Sequence, residues 1–272
     1  MPELEAIIFD VDGTLADTER DGHRVAFNAA FADAGLDWDW SVPLYGALLR
    51  VTGGKERIRA YLAEHAPGFV PAAPLDDFVR DLHKRKTAHY TRMMADGAIG
   101  LRPGVLRLLT EARAAGIRLA VATTTTPENV TALLAAAPQP GLVDWFEVIA
   151  AGDVVPAKKP APDIFELALE QLGLPPTACV AVEDSDNGVR SALGAGLSAL
   201  LVTVSSYTDQ QDFGGAALVV DGLGEPGSPP RVLDGACAGS LASALQDAGC
   251  VDLSVLRALH RRALDGGSGQ LP

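Results

Sequence analysis

Four short apolar runs, at residues 6–9, 118–122, 179–182 and 198–204, recur along this chain with helix-like stretches between them. Continuous apolar strands of this kind suit a parallel sheet covered on both faces, and their alternation with helices predicts an α/β fold. The helical stretches fall at 104–115, 127–137, 162–172 and 187–195. Pro127 and Pro162 stand where first-turn prolines belong, and Gly116, Gly173 and Gly196 stand where helices stop. The expected core is a Rossmann-like, doubly wound parallel sheet.

One region breaks the alternation. Between about Glu19 and Asp96 no segment reads as a strand, whereas 24–34, 41–49, 56–66 and 76–94 all carry helical patterns. Inserted between the first and second strands, such a segment is an all-helical cap, hinged at 15–21 and 96–103. The expected division is a discontinuous α/β core of residues 1–16 and 100–224, a cap of 17–99, and a C-terminal linker and short helical tail of 225–272. Residues 222–230 read as the linker, 240–248 and 253–264 as short helices packed loosely on the core, and 265–272 as a frayed end.

Composition removes several classes of function. The 272 residues are 48% hydrophobic and 21% charged, with a formal net charge of −13. That apolar content is too high for disorder, and the negative balance disfavours nucleic acid or an anionic membrane surface as a partner. No apolar run approaches the ~18–20 residues of a membrane helix. Met1-Pro2-Glu3-Leu4-Glu5 offers no basic segment of the kind that opens a secretion signal. Cys179, Cys237 and Cys250 are too few and too scattered for a disulfide framework or a zinc site. A monomer in a reducing compartment is expected: a bacterial cytoplasm, or a plastid stroma if a transit peptide has been removed.

The chemistry gathers at the strand ends. Phe9-Asp10-Val11-Asp12-Gly13-Thr14-Leu15 places two acids, two residues apart, where a buried strand has just ended. The carboxyl edge of an open α/β sheet is where ligands bind, and a glycine there lets backbone N–H groups approach an anion. Thr123 follows the second strand with a hydroxyl and a backbone N–H. Lys159 precedes Pro160. Glu183-Asp184-Ser185 follows the third apolar run, and paired carboxylates there have the character of a hard-cation site. Each feature alone has an ordinary reading as a turn residue or a solvated charge; four on one sheet edge point to a site.

This set resembles the haloacid dehalogenase-like phosphatases: D-x-D-G-T, a threonine, a lysine before proline, and E-D, with a helical cap after the first motif. The resemblance covers about residues 6–204 and implies roles. Asp10 is the nucleophile that forms an aspartyl-phosphate, and Asp12 is the general acid–base. Mg²⁺ is held by the carboxylates of Asp10 and Asp184 and the carbonyl of Asp12, with Glu183 supporting through water. Thr123 and Lys159 hold the transferring phosphoryl group, and Asn187-Gly188 order the loop behind the metal. The presence of Asp12 favours a phosphatase over a dehalogenase, which would not need an acid there.

A narrower resemblance, to CbbY-type phosphatases encoded with Rubisco genes, rests on Glu19 through Asn28, Trp38-Asp39-Trp40, Thr52-Gly53-Gly54-Lys55-Glu56-Arg57 and the run Thr123, Thr124, Thr125. The segment around Val219 to Pro226 also resembles longer members of the type. It implies a sugar bisphosphate substrate, xylulose-1,5-bisphosphate, and places substrate choice in the cap. The phosphate that is not cleaved needs cations of its own. Lys55, beside Gly53 and Gly54 at a helix start, is one candidate, because helix N-termini attract anions. The run is not a Walker loop, since Glu56 stands where Ser or Thr is required. Lys86, in the basic run His83-Lys84-Arg85-Lys86-Thr87-Ala88-His89, is the other, by its resemblance to a substrate lysine of related mutases. Glu19 and His23 are candidates for sugar hydroxyls, with a structural role equally open for His23. Tyr45, Arg50, Thr124 and Thr125 are further candidate contacts. Trp38 and Trp40 are expected in the cap core, and His65 and His260 on the surface.

Two other functions share these residues. A β-phosphoglucomutase-like isomerase has the same motifs and cap. A non-catalytic sugar-phosphate-binding protein would keep the fold and lose the chemistry, which intact Asp10, Asp12, Lys159 and Asp184 oppose.

Overall fold

The computed structural model describes residues 2–51 and 53–267. Thr52 and the end of the expected frayed segment, 268–272, lie outside the described residues. The chain divides into two compact units, Met1–Asp17 with Gly100–Pro272, and Thr18–Ile99.

Strand β1 (Ala6–Phe9) opens the first unit. The chain then enters the second unit through a turn of π-helix, Thr18–His23, and continues as α1 (Arg24–Asp33), α2 (Val42–Leu48), α3 (Gly54–His65) and α4 (Leu75–Ala95). Pro43 in the first turn of α2 and the Ser41 side chain, which accepts from Leu44 N–H, start that helix as sequence predicts. The unit is held by stacked aromatics. Trp40 is fully buried with its ring 4.6 Å from Phe27 and 4.9 Å from Phe31, while half-buried Trp38 meets Phe31 edge-on at 5.4 Å. Such contacts add to the large apolar area that each ring removes from water.

On return to the first unit the order is α5 (Val105–Ala114), β2 (Arg118–Thr123), α6 (Pro127–Ala135), β3 (Phe146–Ala151), α7 (Asp163–Leu172), β4 (Cys179–Glu183), α8 (Asp186–Gly194) and β5 (Leu200–Thr203). Then come β6 (Leu218–Val220), β7 (Val232–Asp234), α9 (Ala238–Ala248) and α10 (Leu253–Gly267). The sheet runs β3-β2-β1-β4-β5-β6-β7, parallel except for β7. On one face Ile8, Ala122 and Ala181 pack with Ile164 and Phe165 of α7 and Val189 of α8. The alternate residues Ile7, Phe9, Val121 and Val182 are buried as well, so both faces are covered. No helix among the described residues is long and apolar enough to cross a membrane.

Three strands were not foreseen. In β3 the polar Glu147 interrupts the apolar run, and β6 and β7 are only three residues each, too short to show a period. The C-terminal segment is also not the loose tail expected. β7 pairs with β6, and α10 buries Val255, Leu256 and Leu259 against the first unit and continues to Gly267. The 222–230 stretch is pinned through Glu225, whose carboxylate accepts from Gly104 N–H at 2.8 Å and pairs with Arg107 at 3.3 Å. An acid at the start of α5 is favoured by the helix dipole, a long-range match that composition does not reveal. His260 corrects another expectation. It lies one turn from Leu256 on the apolar face of α10, is 1% exposed, and has Nε2 2.8 Å from the Thr177 carbonyl. His65 is exposed, as expected.

Candidate active site

Sheet register assembles the acidic cluster. Phe9 of β1 is level with Val121 of β2 and Val182 of β4, so Asp10, Ala122 and Glu183 follow at one height, with Thr123 and Asp184 one residue further. Asp10 N–H donates to the Val182 carbonyl at 3.0 Å, which prolongs the ladder to the point where the side chains leave the sheet.

Lys159 completes the cluster. Its Nζ lies 2.6 Å from Asp10 Oδ1 and 2.6 Å from Glu183 Oε1. Burial alone would lower the lysine pKa, but the Asp10 and Glu183 charges raise it instead, so the ammonium is retained. Burial pushes the Asp10 carboxyl up to about 8; Lys159 opposes that rise, and Glu183 and Asp12 add to it. Burial, with Glu183 and Asp10, also lifts Asp184 well above the usual carboxylate range. The second oxygen of Glu183 accepts from Asp184 N–H at 3.0 Å and Ser185 Oγ at 3.3 Å.

Among the described residues, Asp10, Glu183 and Asp184 are the one group of three whose ligand atoms, one from each, lie within 4.8 Å of one another. A single ammonium, ion-paired to Asp10 and Glu183, faces these three buried carboxylates. Such an all-oxygen donor set fits a hard divalent cation.

Two glycines make this closeness possible. Gly13 has φ +92°, and a Cβ there would stand 2.0 Å from Asp184 Oδ2. Gly188, in the first turn of α8, has its Cα against the Glu183 carboxylate, where a Cβ would come within 1.9–2.0 Å of three atoms. Gly188→Ala is therefore expected to cost about 1–3 kcal/mol of stability, the usual penalty of overpacking. A lower urea midpoint would register it, and an unchanged midpoint would contradict the contact.

The remaining core candidates sit around this cluster. Thr125 Oγ1 donates to Asp12 Oδ2. Thr123 is buried, and its Oγ1 accepts from Thr125 N–H at 3.2 Å. Thr124 is exposed and joins neither contact.

Within the helical unit the structure brings some candidates together and leaves others apart. Tyr45 OH donates to Glu19 Oε2 at 2.6 Å and accepts from Arg57 at 2.8 Å. Lys86 is buried, with Nζ 2.7 Å from His23 Nδ1 and 4.9 Å from the centre of the Tyr90 ring, on which His23 stacks. Arg50 lies elsewhere: its exposed guanidinium pairs with Glu64. Lys55 is exposed. Gly53 opens α3 at φ +96° with the Glu56 side chain folded over it, and Gly54 lies against the His83 ring.

Arg57 was missed as a site candidate. It is 8% exposed, and its Nε has no hydrogen-bond partner. The signal was present in the spacing, since Arg57 stands four residues before Tyr61 and therefore on the buried face of α3.

Comparison with known proteins agrees with this geometry. A family model for haloacid dehalogenase-like hydrolases matches residues 4–196. The chain is 54% identical to protein CbbY of Rhodobacter capsulatus over 214 residues, 79% of this chain and 91% of that one. It is 44% identical to the plasmid CbbY protein of Cupriavidus necator over 265 residues, 96% of this chain and 98% of the other. A crystal structure of a mutant CbbY from Rhodobacter sphaeroides in complex with xylulose-(1,5)bisphosphate is 50% identical, with a TM-score of 0.65. That match covers 80% of this chain and 94% of the other.

Proposed function

The chain belongs to the haloacid dehalogenase-like hydrolases, in their CbbY branch, and is a phosphatase; we propose that it cleaves one phosphate from a sugar bisphosphate, xylulose 1,5-bisphosphate, with Mg²⁺ as cofactor and Asp10 as nucleophile. The observation that carries the chemistry is the buried cluster of Asp10, Glu183 and Asp184 around Lys159. The 50% identity to a protein crystallised with that bisphosphate supports this choice of substrate.

In the first step an Asp10 oxygen attacks phosphorus as the bond from phosphorus to the sugar oxygen breaks, and Asp12 gives its proton to that oxygen. In the second, Asp12 takes a proton from water as the water oxygen attacks the aspartyl-phosphate, which releases inorganic phosphate and restores Asp10. Lys159 and Thr123 hold the phosphoryl oxygens, where fixed charge and donors are worth most in a site shielded from water. Asp10, Asp184 and the Asp12 carbonyl, with Glu183 in support, would hold Mg²⁺, which would supply the charge neutralisation that lets a carboxylate approach a phosphate dianion.

Within the helical unit the cations proposed to bind an anion are the buried Arg57 and Lys86. Arg57→Ala is expected to raise KM for the bisphosphate by about 10–100-fold, the scale of a lost charged hydrogen bond, and to change KM for a monophosphate by less than about twofold. Steady-state kinetics on both substrates checks this, and an equal effect on both would remove Arg57 from phosphate recognition.

A substrate panel tests the whole reading. With Mg²⁺ present, xylulose 1,5-bisphosphate should yield inorganic phosphate and xylulose 5-phosphate, and EDTA should stop the reaction. Glucose 6-phosphate formed from β-glucose 1-phosphate, with no release from the bisphosphate, would replace this reading by an isomerase.

A further inference from the structure

We infer that Arg102 is a positioning residue for the carboxylate cluster, bracing two chain segments against Asp184 without belonging to the reacting groups. This rests on the proposed Mg²⁺ site. Arg102 precedes α5, and its backbone N–H donates to the Leu15 carbonyl at 2.8 Å. One arm of its guanidinium, Nη1, donates to the Gly13 carbonyl, to the Thr203 carbonyl at 3.0 Å and to Thr203 Oγ1 at 3.2 Å. The other, Nη2, donates to the Val204 carbonyl at 2.6 Å.

Those acceptors come from two places, the loop after β1 and the end of β5, which the Ser206 hydroxyl also joins by donating to Asp17 at 2.7 Å. Both adjoin Asp184. Gly13 packs so closely on its carboxylate that any side chain there would collide with it. The end of β5 runs alongside β4 with Val202 level with Glu183, so Thr203 stands beside Asp184. A shift of either segment therefore moves a wall of the space that holds this carboxylate. A planar guanidinium can hold carbonyls on both sides at once, while a lysine ammonium can satisfy one side but cannot span the two in the same plane.

Residues that orient metal ligands typically change metal affinity by about 10–100-fold when replaced. Calorimetric titration with Mg²⁺ alone should show a loss of that size in Arg102→Met, and a similar loss in Arg102→Lys despite its retained charge. At saturating Mg²⁺ the substrate KM should stay within about twofold of the unmutated value, and guanidinium ion added at millimolar concentration to Arg102→Ala should restore part of the Mg²⁺ affinity. Urea melts identify variants that have lost the fold; Arg102→Lys is the variant that keeps most of the side chain's volume. Unmutated protein that binds no Mg²⁺ would overturn the metal site and this inference with it. Unmutated protein that binds Mg²⁺ no better than folded Arg102→Met and Arg102→Lys would overturn the inference alone. So would a raised KM at unchanged Mg²⁺ affinity, which would make Arg102 a substrate contact.

Discussion

Asp10→Asn is expected to bring phosphate release down to the background of the assay, a loss of at least ~10⁴-fold, the scale seen when a covalent nucleophile is removed. The substitution is nearly isosteric. The amide oxygen can still accept from Lys159, whose Nζ lies 2.6 Å from Asp10 Oδ1, so the packing around the buried pair survives. What disappears is the nucleophile, because an amide oxygen does not form a stable bond to phosphorus that water can then cleave. One of three clustered carboxylate charges also disappears. Mg²⁺ affinity should therefore fall, while sugar bisphosphate binding stays measurable by calorimetry at high Mg²⁺. The same variant should give no acid-precipitable ³²P-labelled protein from labelled substrate, whereas the unmutated chain gives a labelled species that is lost on treatment with hydroxylamine. Turnover retained above about one per cent would mean that water attacks the substrate directly, and Asp10 would then be a metal ligand only.

How much of this was legible in the sequence depends on range. Asp10, Asp12, Thr123, Lys159, Glu183 and Asp184 could be picked out because each follows an apolar run or stands beside a proline, and the parallel register then brings the strand-end residues to one height. The register itself was not legible, since β1, β2 and β4 are continuous apolar runs buried on both faces, with no alternation to fix which residues stand level. What sequence did not show was contact between distant segments. Arg102 and Gly13 are 89 residues apart, and Glu225 reaches the start of α5 from 121 residues away. Burial along α3 was not legible for a related reason. Lys55 is exposed and Arg57 buried, because Arg57 stands one turn before the buried Tyr61. Arg50 likewise had an acidic partner, Glu64, that lies 14 residues away on the next helix. The C-terminal segment was underestimated because short strands and a capping glutamate carry no period, although the apolar spacing of Val255, Leu256 and Leu259 did mark the buried face of α10.

Asp12→Ala separates proton transfer from attack. Asp12 is half-buried where Asp10 is buried, and Thr125 Oγ1 holds its Oδ2, so its side chain is fixed independently of the Asp10 and Lys159 pair. The backbone carbonyl proposed as a metal ligand survives the substitution. On a sugar phosphate the leaving oxygen is a poor one unless it is protonated, and kcat should fall by about 10²–10⁴-fold, the range of general acid–base catalysis. On 4-nitrophenyl phosphate the leaving phenolate needs no proton. The first step should then persist, while the second step, which needs Asp12 to take a proton from water, stays slow. The expected trace is a burst of nitrophenolate of up to one equivalent per chain, followed by a steady rate far below that of the unmutated protein. Adding Asp10→Asn to the same chain should erase the burst, which ties it to the aspartyl-phosphate. Equal losses on both substrates without a burst would show that Asp12 matters for the shape of the loop and not for moving protons.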